Sequence, residues 1–382
     1  MHRLLPWLRG ERTSDSLLLR GLLAVLGALG KLLALYQRWR VGRYARGRKR
    51  GYRAPCPVIS VGNLTVGGTG KTPMVIALAR RIRDSGGRVA VVSRGYRQRS
   101  RARVTVVADH DRVHLAVPEA ADEAVLLARS LPGVAVLTGP DRAALIRHAT
   151  ERLGSDWILM DDGFHRLDVE RDLDLVLLDA RRPFGNGFLL PGGILRESPE
   201  ALMRCDAVIL TRAEAAGGAL ASMGDRFPGK PILTATHRPV GWIDARQPGL
   251  LLPLAGVRGD VMAFCGLGAP EGFRRTLDGV GVRVVGFHPF PDHHPFKVGE
   301  VRGLEEQARR AGAGVLVCTE KDLVKLDRVV GVVEMPILAL RVEMAMLENG
   351  AWLEERLGEL QGVEKLVGSR GQWPLVGFGA KP

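Results

Sequence analysis

Residues Val58 to Thr72 read V-I-S-V-G-N-L-T-V-G-G-T-G-K-T, and no other stretch restricts the fold as tightly. A β-branched apolar run (Val58, Ile59, Val61) gives way to a glycine-rich turn ending in Gly70-Lys71-Thr72, and Pro73 precedes an amphipathic helical stretch from Met74. Strand, glycine-rich turn and helix in that order make a phosphate cradle. Glycines let backbone N–H groups close on phosphate oxygens, and the helix N-terminus adds positive potential. Thr65, Val66, Gly67, Gly68, Thr69, Gly70, Lys71 and Thr72 are then the nucleotide-phosphate candidates, with Lys71 on the outer phosphates and the Thr72 hydroxyl on Mg²⁺. The usual spacing G-x-x-x-x-G-K-[ST] begins with glycine where this chain has Thr65; Gly67 and Gly68 supply the flexibility instead.

A second element fits the first. Trp157-Ile-Leu-Met-Asp161-Asp162-Gly163-Phe164 is an apolar strand ending in two acids, ninety residues after Lys71. Carboxylates at such a strand end organise Mg²⁺ and its waters, although acids there also serve as simple caps. Between Pro57 and Thr211 apolar runs recur at 89–92, 104–108, 134–137, 157–160, 173–178 and 207–210, with helical stretches such as 141–153 between them. That alternation predicts an α/β fold with a doubly wound, mostly parallel sheet whose ligand loops lie at strand C-termini. Short strands at 232–236, 261–265, 282–287 and 315–319 predict a smaller C-terminal α/β domain. The expected organisation is an N-terminal helix with a basic segment (1–53), a core (54–228), the smaller domain (229–362) and a tail (363–382).

Composition bears on the partner. A net charge of +14 points to anions: nucleic acid, anionic lipid or a phosphorylated substrate. With 5% aromatics, stacking platforms for single strands are not expected. The cysteines (56, 205, 265, 318) are far apart, which argues for reduced thiols rather than disulfides or a zinc site. Much of the charge lies near the N-terminus. Leu17 to Tyr36 is apolar but broken by Arg20 and Lys31, and its uninterrupted part, Gly21 to Gly30, is far short of the ~20 residues a span needs. As a helix it places Arg20, Gly27, Lys31 and Arg38 on one narrow stripe, with leucines elsewhere. Arg38 to Arg53 then carries eight cations, no acid, and Trp39, Tyr44 and Tyr52 between them. This suits a helix lying in a membrane interface, with the body on the cytosolic face; a nucleic-acid arm is the other reading.

Three loops look chemical. Asp122-Glu123 stands just before a helical stretch, where Asp122 is either a cap or a reacting acid. Phe184 to Glu197 is glycine-rich and unusually apolar, ending in Arg196-Glu197, as suits a lipid-facing or substrate-covering segment. Phe290-Pro-Asp-His-His-Pro-Phe296 is either a polar turn or an Asp–His acid/base element.

Taken together and in order, these pieces resemble the tetraacyldisaccharide 4′-kinase family, the lipid A 4′-kinases. The matching residues are Pro57 to Pro73, Ser93-Arg-Gly-Tyr96, Asp122-Glu123, Asp161 to Phe164, Arg171 to Asp174, Leu189 to Pro191, Leu195 to Glu197, Ala263 to Gly268, Asp292 to Phe296 and Thr319-Glu-Lys-Asp322. The resemblance implies a membrane-associated kinase of lipid A biosynthesis that moves the γ-phosphoryl of Mg-ATP to the 4′-hydroxyl of a tetraacylated glucosamine disaccharide 1-phosphate. The expected location is the cytoplasmic face of the inner membrane, with an anionic lipid surface and no nucleic acid as partner. It also implies residue roles. Asp122 takes the hydroxyl proton with His293 tuning it across a cleft that domain closure completes, and Lys71 acts in catalysis. Thr72, Asp161, Asp162 and Glu197 serve the metal, while Asn63, Arg94, Tyr96, Glu123 and Asn186 serve the acceptor. Three departures concern neighbours of the acids: His165-Arg166 follows Phe164 where the family has Gln-His, Ala121 and Ala124 flank the acidic pair in place of Gly and Pro, and Ser198 follows Arg196-Glu197 in place of Pro.

A membrane-surface nucleotide switch of the partitioning-ATPase type is the alternative. Those proteins carry a lysine immediately before the two glycines, where this chain has Val66, and they have no use for an Asp-His-His element.

Overall fold

A computed structural model describes residues 17–215 and 218–362; the expected tail and residues 1–16 of the N-terminal segment lie outside that range. Its strands are β1 (Val58–Asn63), β2 (Val89–Ser93), β3 (Thr105–Ala108), β4 (Ala135–Thr138), β5 (Trp157–Asp161), β6 (Leu173–Asp179) and β7 (Ala207–Thr211). They continue with β8 (Ile232–Asp244), β9 (Gln247–Leu252), β10 (Asp260–Cys265), β11 (Arg283–Pro289), β12 (Val315–Thr319) and β13 (Ile337–Glu348). The chain forms two compact units. The first takes the residues up to Arg94, Gly139–His237 and those from Met344; the second takes Gly95–Thr138 and Arg238–Glu343. Residues 95–138, read from the sequence as part of the 54–228 core, thus group with the later segment.

In the first unit the strands run parallel in the order β8, β7, β6, β1, β5, β2. All six residues of β1 are buried, as the continuous Val/Ile pattern of a doubly covered parallel strand requires. β1 and β6 are neighbours whose next strands lie on opposite sides, β2 beyond β5 and β7 beyond β6. Such a switch in strand order opens a crevice at the strand C-termini, and the phosphate loop leaves β1 there. The helix Lys71–Asp84 follows, burying Met74, Val75, Leu78, Ala79 and Ile82 along one face. Arg81 holds Glu354 of the helix Gly350–Leu360 with two bonds of 3.0 and 2.8 Å.

The N-terminal helix runs Leu17–Ala45, so Arg38, Arg40 and Arg43 belong to it rather than to a separate segment. Two of its glycines face protein. Gly27 and Gly30 are buried, and a Cβ at Gly30 would meet the Leu189 carbonyl at 3.0 Å, while one at Gly192 would meet the Gly27 backbone at 2.8 Å. Val25, Leu29, Leu32, Leu35, Tyr36 and Trp39 stay exposed. No helix among the described residues is long and apolar enough to cross a membrane.

The second unit centres on parallel strands in the order β11, β10, β12, β13, with an antiparallel β8–β9 hairpin and an antiparallel β3–β4 pair. Phe264, Phe296, Val301, Leu304, Leu316 and Leu326 fill one side of its core. The helix Asp122–Ser130 packs on β3, β4 and the short helix Glu320–Leu323.

Candidate active site

The phosphate loop is built from its edges inward. Leu64 and Val66 pair with the apolar loop: Arg196 N donates to Leu64 O at 2.7 Å and Val66 N to Ile194 O at 2.8 Å, with Thr65 bridging Leu195. Position 65 is therefore extended, buried backbone, where a β-branched residue is at ease and glycine has no task. Asn63, expected at the acceptor, is wholly buried; its amide donates to Thr65 O at 2.7 Å and to Thr69 Oγ1 at 3.3 Å and so braces the loop. Gly67 and Gly70 take left-handed φ of +128° and +89°. Any Cβ at Gly70 would strike His237 Nε2 at 2.7 Å and Met344 Cε at 2.9 Å. Two residues that the sequence reading missed fasten the far side: Thr211 Oγ1 donates to Thr69 O at 2.9 Å, and Arg212 Nη2 donates to Gly68 O at 2.9 Å. Arg212 is itself held by Asp179 at 2.8 Å. Both stand at or just after the C-terminal end of β7, where ligand loops of such sheets gather, and that rule alone would have flagged them.

Lys71 Nζ lies 3.7 Å from Asp162 Oδ1, and Arg196 Nη1 donates to Asp162 Oδ2 at 2.7 Å. Burial opposes the Asp162 charge, but Lys71 and Arg196 outweigh it and hold the carboxyl near pH 2. Asp162 also has a φ of +56°, a conformation that aspartate tolerates and that turns its carboxylate out of the strand. Asp161 is buried at the end of β5. Close by, Arg142 is almost wholly buried, with Nη1 donating to Gly139 O at 2.6 Å. Burial and the charge of Arg166 bring its pKa down to about 10 against the pull of Asp161 and Asp162.

Glu197, expected among the metal groups, is buried with both oxygens engaged: Oε1 with His165 Nδ1 and Oε2 with Arg204 Nη2, each at 2.7 Å. Burial again opposes its charge, yet these partners hold it at about 2. Arg40 of the N-terminal helix donates to His165 O at 2.9 Å and lies 3.8 Å from Glu197, and Gln37 donates to Arg196 O. Glu197 thus organises cations in place of standing open to a metal. Asn186 works inside its own loop, donating to Gly192 O at 3.0 Å and accepting from Phe188 N at 3.2 Å. Arg94 is exposed at the end of the first segment.

The remaining expected residues meet in the second unit. His293 Nδ1 lies 2.7 Å from Asp122 Oδ2, across 171 residues of sequence. Both belong to one unit, so this contact does not cross between units as the sequence reading expected. Asp122 opens its helix, but its side chain makes no cap; besides the His293 contact, its Oδ1 accepts from the next amide, Glu123 N, at 2.9 Å. Burial raises its pKa, while the His293 bond and the charges of Lys321 and Lys325 outweigh burial and hold it below the ordinary carboxylate range. His293 has a φ of +61° and a T-shaped contact with Tyr96 at 5.8 Å. Glu123 binds Lys321 Nζ at 3.2 Å. A carboxylate kept charged and tied to an imidazole can accept a proton from a hydroxyl nucleophile.

A phosphate loop with acids at the neighbouring strand end, and an Asp–His pair elsewhere on the chain, restrict the families that fit. The family described as Tetraacyldisaccharide-1-P 4′-kinase matches residues 22–360. The chain belongs to that family. Membership makes it an ATP-dependent lipid A 4′-kinase. Among its curated relatives, the tetraacyldisaccharide 4′-kinase of Syntrophus aciditrophicus is 46% identical over 296 residues, 74% of this chain and 79% of that one. The same enzyme of Geobacter metallireducens is 42% identical over 86% of this chain and 96% of its own. A crystal structure of LpxK from Aquifex aeolicus, an "apo" form in complex with ATP, superposes with a TM-score of 0.74 at 30% identity, covering 89% of this chain and 99% of that one.

For a kinase of this family the donor set suits Mg²⁺. The candidates are hard oxygens: the Thr72 hydroxyl and the Asp161 and Asp162 carboxylates. Asp162 Oδ1 is buried and accepts no hydrogen bond. Among the described residues no group of three or more His, Cys, Asp or Glu forms a closed cage. Mg²⁺ asks for none, because it uses one or two carboxylates, substrate phosphates and water.

Proposed function

We propose that this kinase works at a membrane surface with a division of labour between its two units. Thr65 to Thr72 cradle the phosphates of ATP, and Lys71 neutralises charge on the transferred group. Thr72, Asp161 and Asp162 hold Mg²⁺, which when bound neutralises the β- and γ-phosphates. Asp122 accepts the proton of the sugar 4′-hydroxyl, the freed oxygen attacks the γ-phosphorus in line, and ADP leaves. His293 donates to Asp122 and fixes the direction of its carboxylate. Tyr96 and Glu123, beside this pair, and Arg94 serve the acceptor lipid, a tetraacylated glucosamine disaccharide 1-phosphate. The outward leucines and Trp39 of the N-terminal helix enter the lipid interface on the cytoplasmic face of the inner membrane, with the cations of 38–53 on anionic headgroups.

The observation that best supports this reading is the Asp122–His293 contact of 2.7 Å. A nucleotide switch that only hydrolyses ATP has no sugar hydroxyl to deprotonate, and the family match does not favour it. The test is transfer of labelled γ-phosphate from Mg-ATP to the tetraacylated disaccharide 1-phosphate in mixed micelles. Lys71→Ala abolishes labelling, and Asp122→Asn lowers it about 10²- to 10⁴-fold, the usual contribution of a positioned base. Near-normal labelling by Asp122→Asn rejects the base assignment; ATP hydrolysis with no labelled lipid rejects the acceptor.

A further inference from the structure

Thr319-Glu-Lys-Asp322 has no part in the reaction as described above, yet its lysine reaches the proton acceptor. Lys321 Nζ lies 3.2 Å from Glu123 Oε1, 3.4 Å from Asp292 Oδ1 and 3.5 Å from His293 Nε2. Two carboxylates from different segments therefore hold the ammonium against the far nitrogen of the imidazole whose near nitrogen meets Asp122. Lys321 is itself mostly covered, with 18% of its side chain exposed. Burial works against its charge, but Glu123, Asp292 and Asp122 prevail and raise its pKa, so it stays an ammonium wherever the enzyme is active.

The consequence lies in the imidazole tautomer. An ammonium has three donors and no acceptor, so the ring nitrogen facing it receives a hydrogen bond. The ring proton is then on Nδ1, which donates to Asp122 Oδ2. Without the lysine, Nε2 faces only Asp292, 3.8 Å away, so a proton on Nε2 is no longer opposed and the Nδ1–H bond to Asp122 alone has to hold the tautomer.

We propose that Lys321 is a positioning residue of the phosphoryl transfer: clamped by Glu123 and Asp292, it holds His293 as the Nδ1–H tautomer, so that Asp122 remains the group that accepts the hydroxyl proton. The inference rests on Asp122 being the base. Besides Lys321, the other lysine acting on Asp122 is Lys325, which is committed to the buried Asp322 at 2.7 Å and does not reach the imidazole by any observed contact.

The full-length enzyme in mixed micelles tests this with Lys321→Met, Lys321→Arg and Asp122→Asn. Lys321→Met lowers kcat tenfold or more, a fraction of the roughly 10²–10⁴ that the base supplies, with the KM for ATP unchanged. Its acid limb of kcat against pH moves to higher pH, because Asp122 has lost a cation. Lys321→Arg keeps a charged donor and restores the limb. Nitrogen-15 spectra of the His293 side chain show a bare Nε2 in the parent and in Lys321→Arg, and a protonated Nε2 in Lys321→Met. Lys321→Gln provides the same comparison should the methionine variant not fold. If Asp122→Asn is inactive while Lys321→Met keeps the parental pH profile and tautomer, the lysine is structural only and the proposal fails by itself. If Asp122→Asn is active, the base reading fails first.

Discussion

Gly62, the fifth residue of β1, tests how closely the phosphate-loop strand and the acidic strand end are fitted. A Cβ there would lie 2.4 Å from Phe164 Cβ and 2.9 Å from Phe164 N, roughly an ångström inside ordinary contact. Phe164 cannot recoil easily. Its side chain is wholly buried, its ring lies 4.8 Å beneath the Arg204 guanidinium, and Arg204 is fixed by Glu197 at 2.7 Å. Gly62→Ala must therefore push the backbone that carries Asp161 and Asp162. Overpacking of this kind costs about 1–3 kcal/mol in stability. An ångström of displacement at catalytic groups costs about 10²-fold in rate. The assays are urea unfolding and kcat/KM for labelled phosphate transfer. Because the clash is with Cβ and backbone nitrogen, trimming the ring with Phe164→Leu in the same chain leaves the defect in place. Gly299→Ala is the control: it lies in the helix Val298–Arg310 with nothing within 4 Å of its new methyl, and alanine there is neutral or stabilising by up to about 1 kcal/mol. A Gly62→Ala enzyme with a parental midpoint and a rate within threefold would refute the argument.

Three further outcomes follow from particular contacts. The Glu197 pKa falls from 4.5 to about 2 on folding, which at about 1.36 kcal/mol per unit contributes about 3 kcal/mol. Since the folded value is depressed, that stability is present above 4.5 and is lost as pH falls toward 2; the urea-midpoint gap between parent and Glu197→Gln should roughly halve by pH 3, and a gap independent of pH would count against it. Lys325→Met strands the fully buried Asp322 carboxylate, for a loss of about 3–5 kcal/mol in thermal unfolding, and Asp322→Asn in the same chain recovers part of it; no loss would show the pair to be dispensable. Leu32→Glu with Leu35→Glu removes two outward leucines whose burial in lipid is worth about 1.5–3 kcal/mol each, so sedimentation with anionic vesicles should weaken at least tenfold; unchanged binding would exclude this face.

Local features were readable in the sequence because their physics is local. The phosphate loop, the acid-terminated strand and the parallel alternation all depend on residue types within a few positions of each other. The excursion 95–138 was not readable, because its short β3–β4 pair and one helix carry no sign of which unit they join. The loop contacts of Asn63 and Asn186 were not readable for the same reason: an amide's polarity is visible, whereas the carbonyls it serves, those of Thr65 and Gly192, are set by the fold. Arg142 and Arg212 carry no local mark that sets them apart from the chain's many arginines, and only the tertiary structure shows one buried beside Asp161 and Asp162 and the other on Gly68 O. The Asp122–His293 pair was reached through family resemblance, since spacing alone says nothing across 171 residues.

Thr65 shows why a motif can depart from its pattern without losing its geometry. Where the common pattern has glycine, this chain pairs 64–66 with 194–196, and the extended backbone there suits threonine. The loop thereby gains a rigid edge, while its bends remain at Gly67 and Gly70. That edge has further attachments. The segment pairing with it carries Arg196, whose guanidinium holds Asp162 beside Lys71 and whose carbonyl receives Gln37 from the N-terminal helix. A few residues earlier, Leu189 and Gly192 seat Gly30 and Gly27 of the same helix. The apolar loop 184–197 is thus neither a simple lid nor a simple lipid contact. It is the piece through which the helix that bears the exposed leucines is built into the phosphate site, and a change in how that helix docks has a short covalent and hydrogen-bonded route to Lys71.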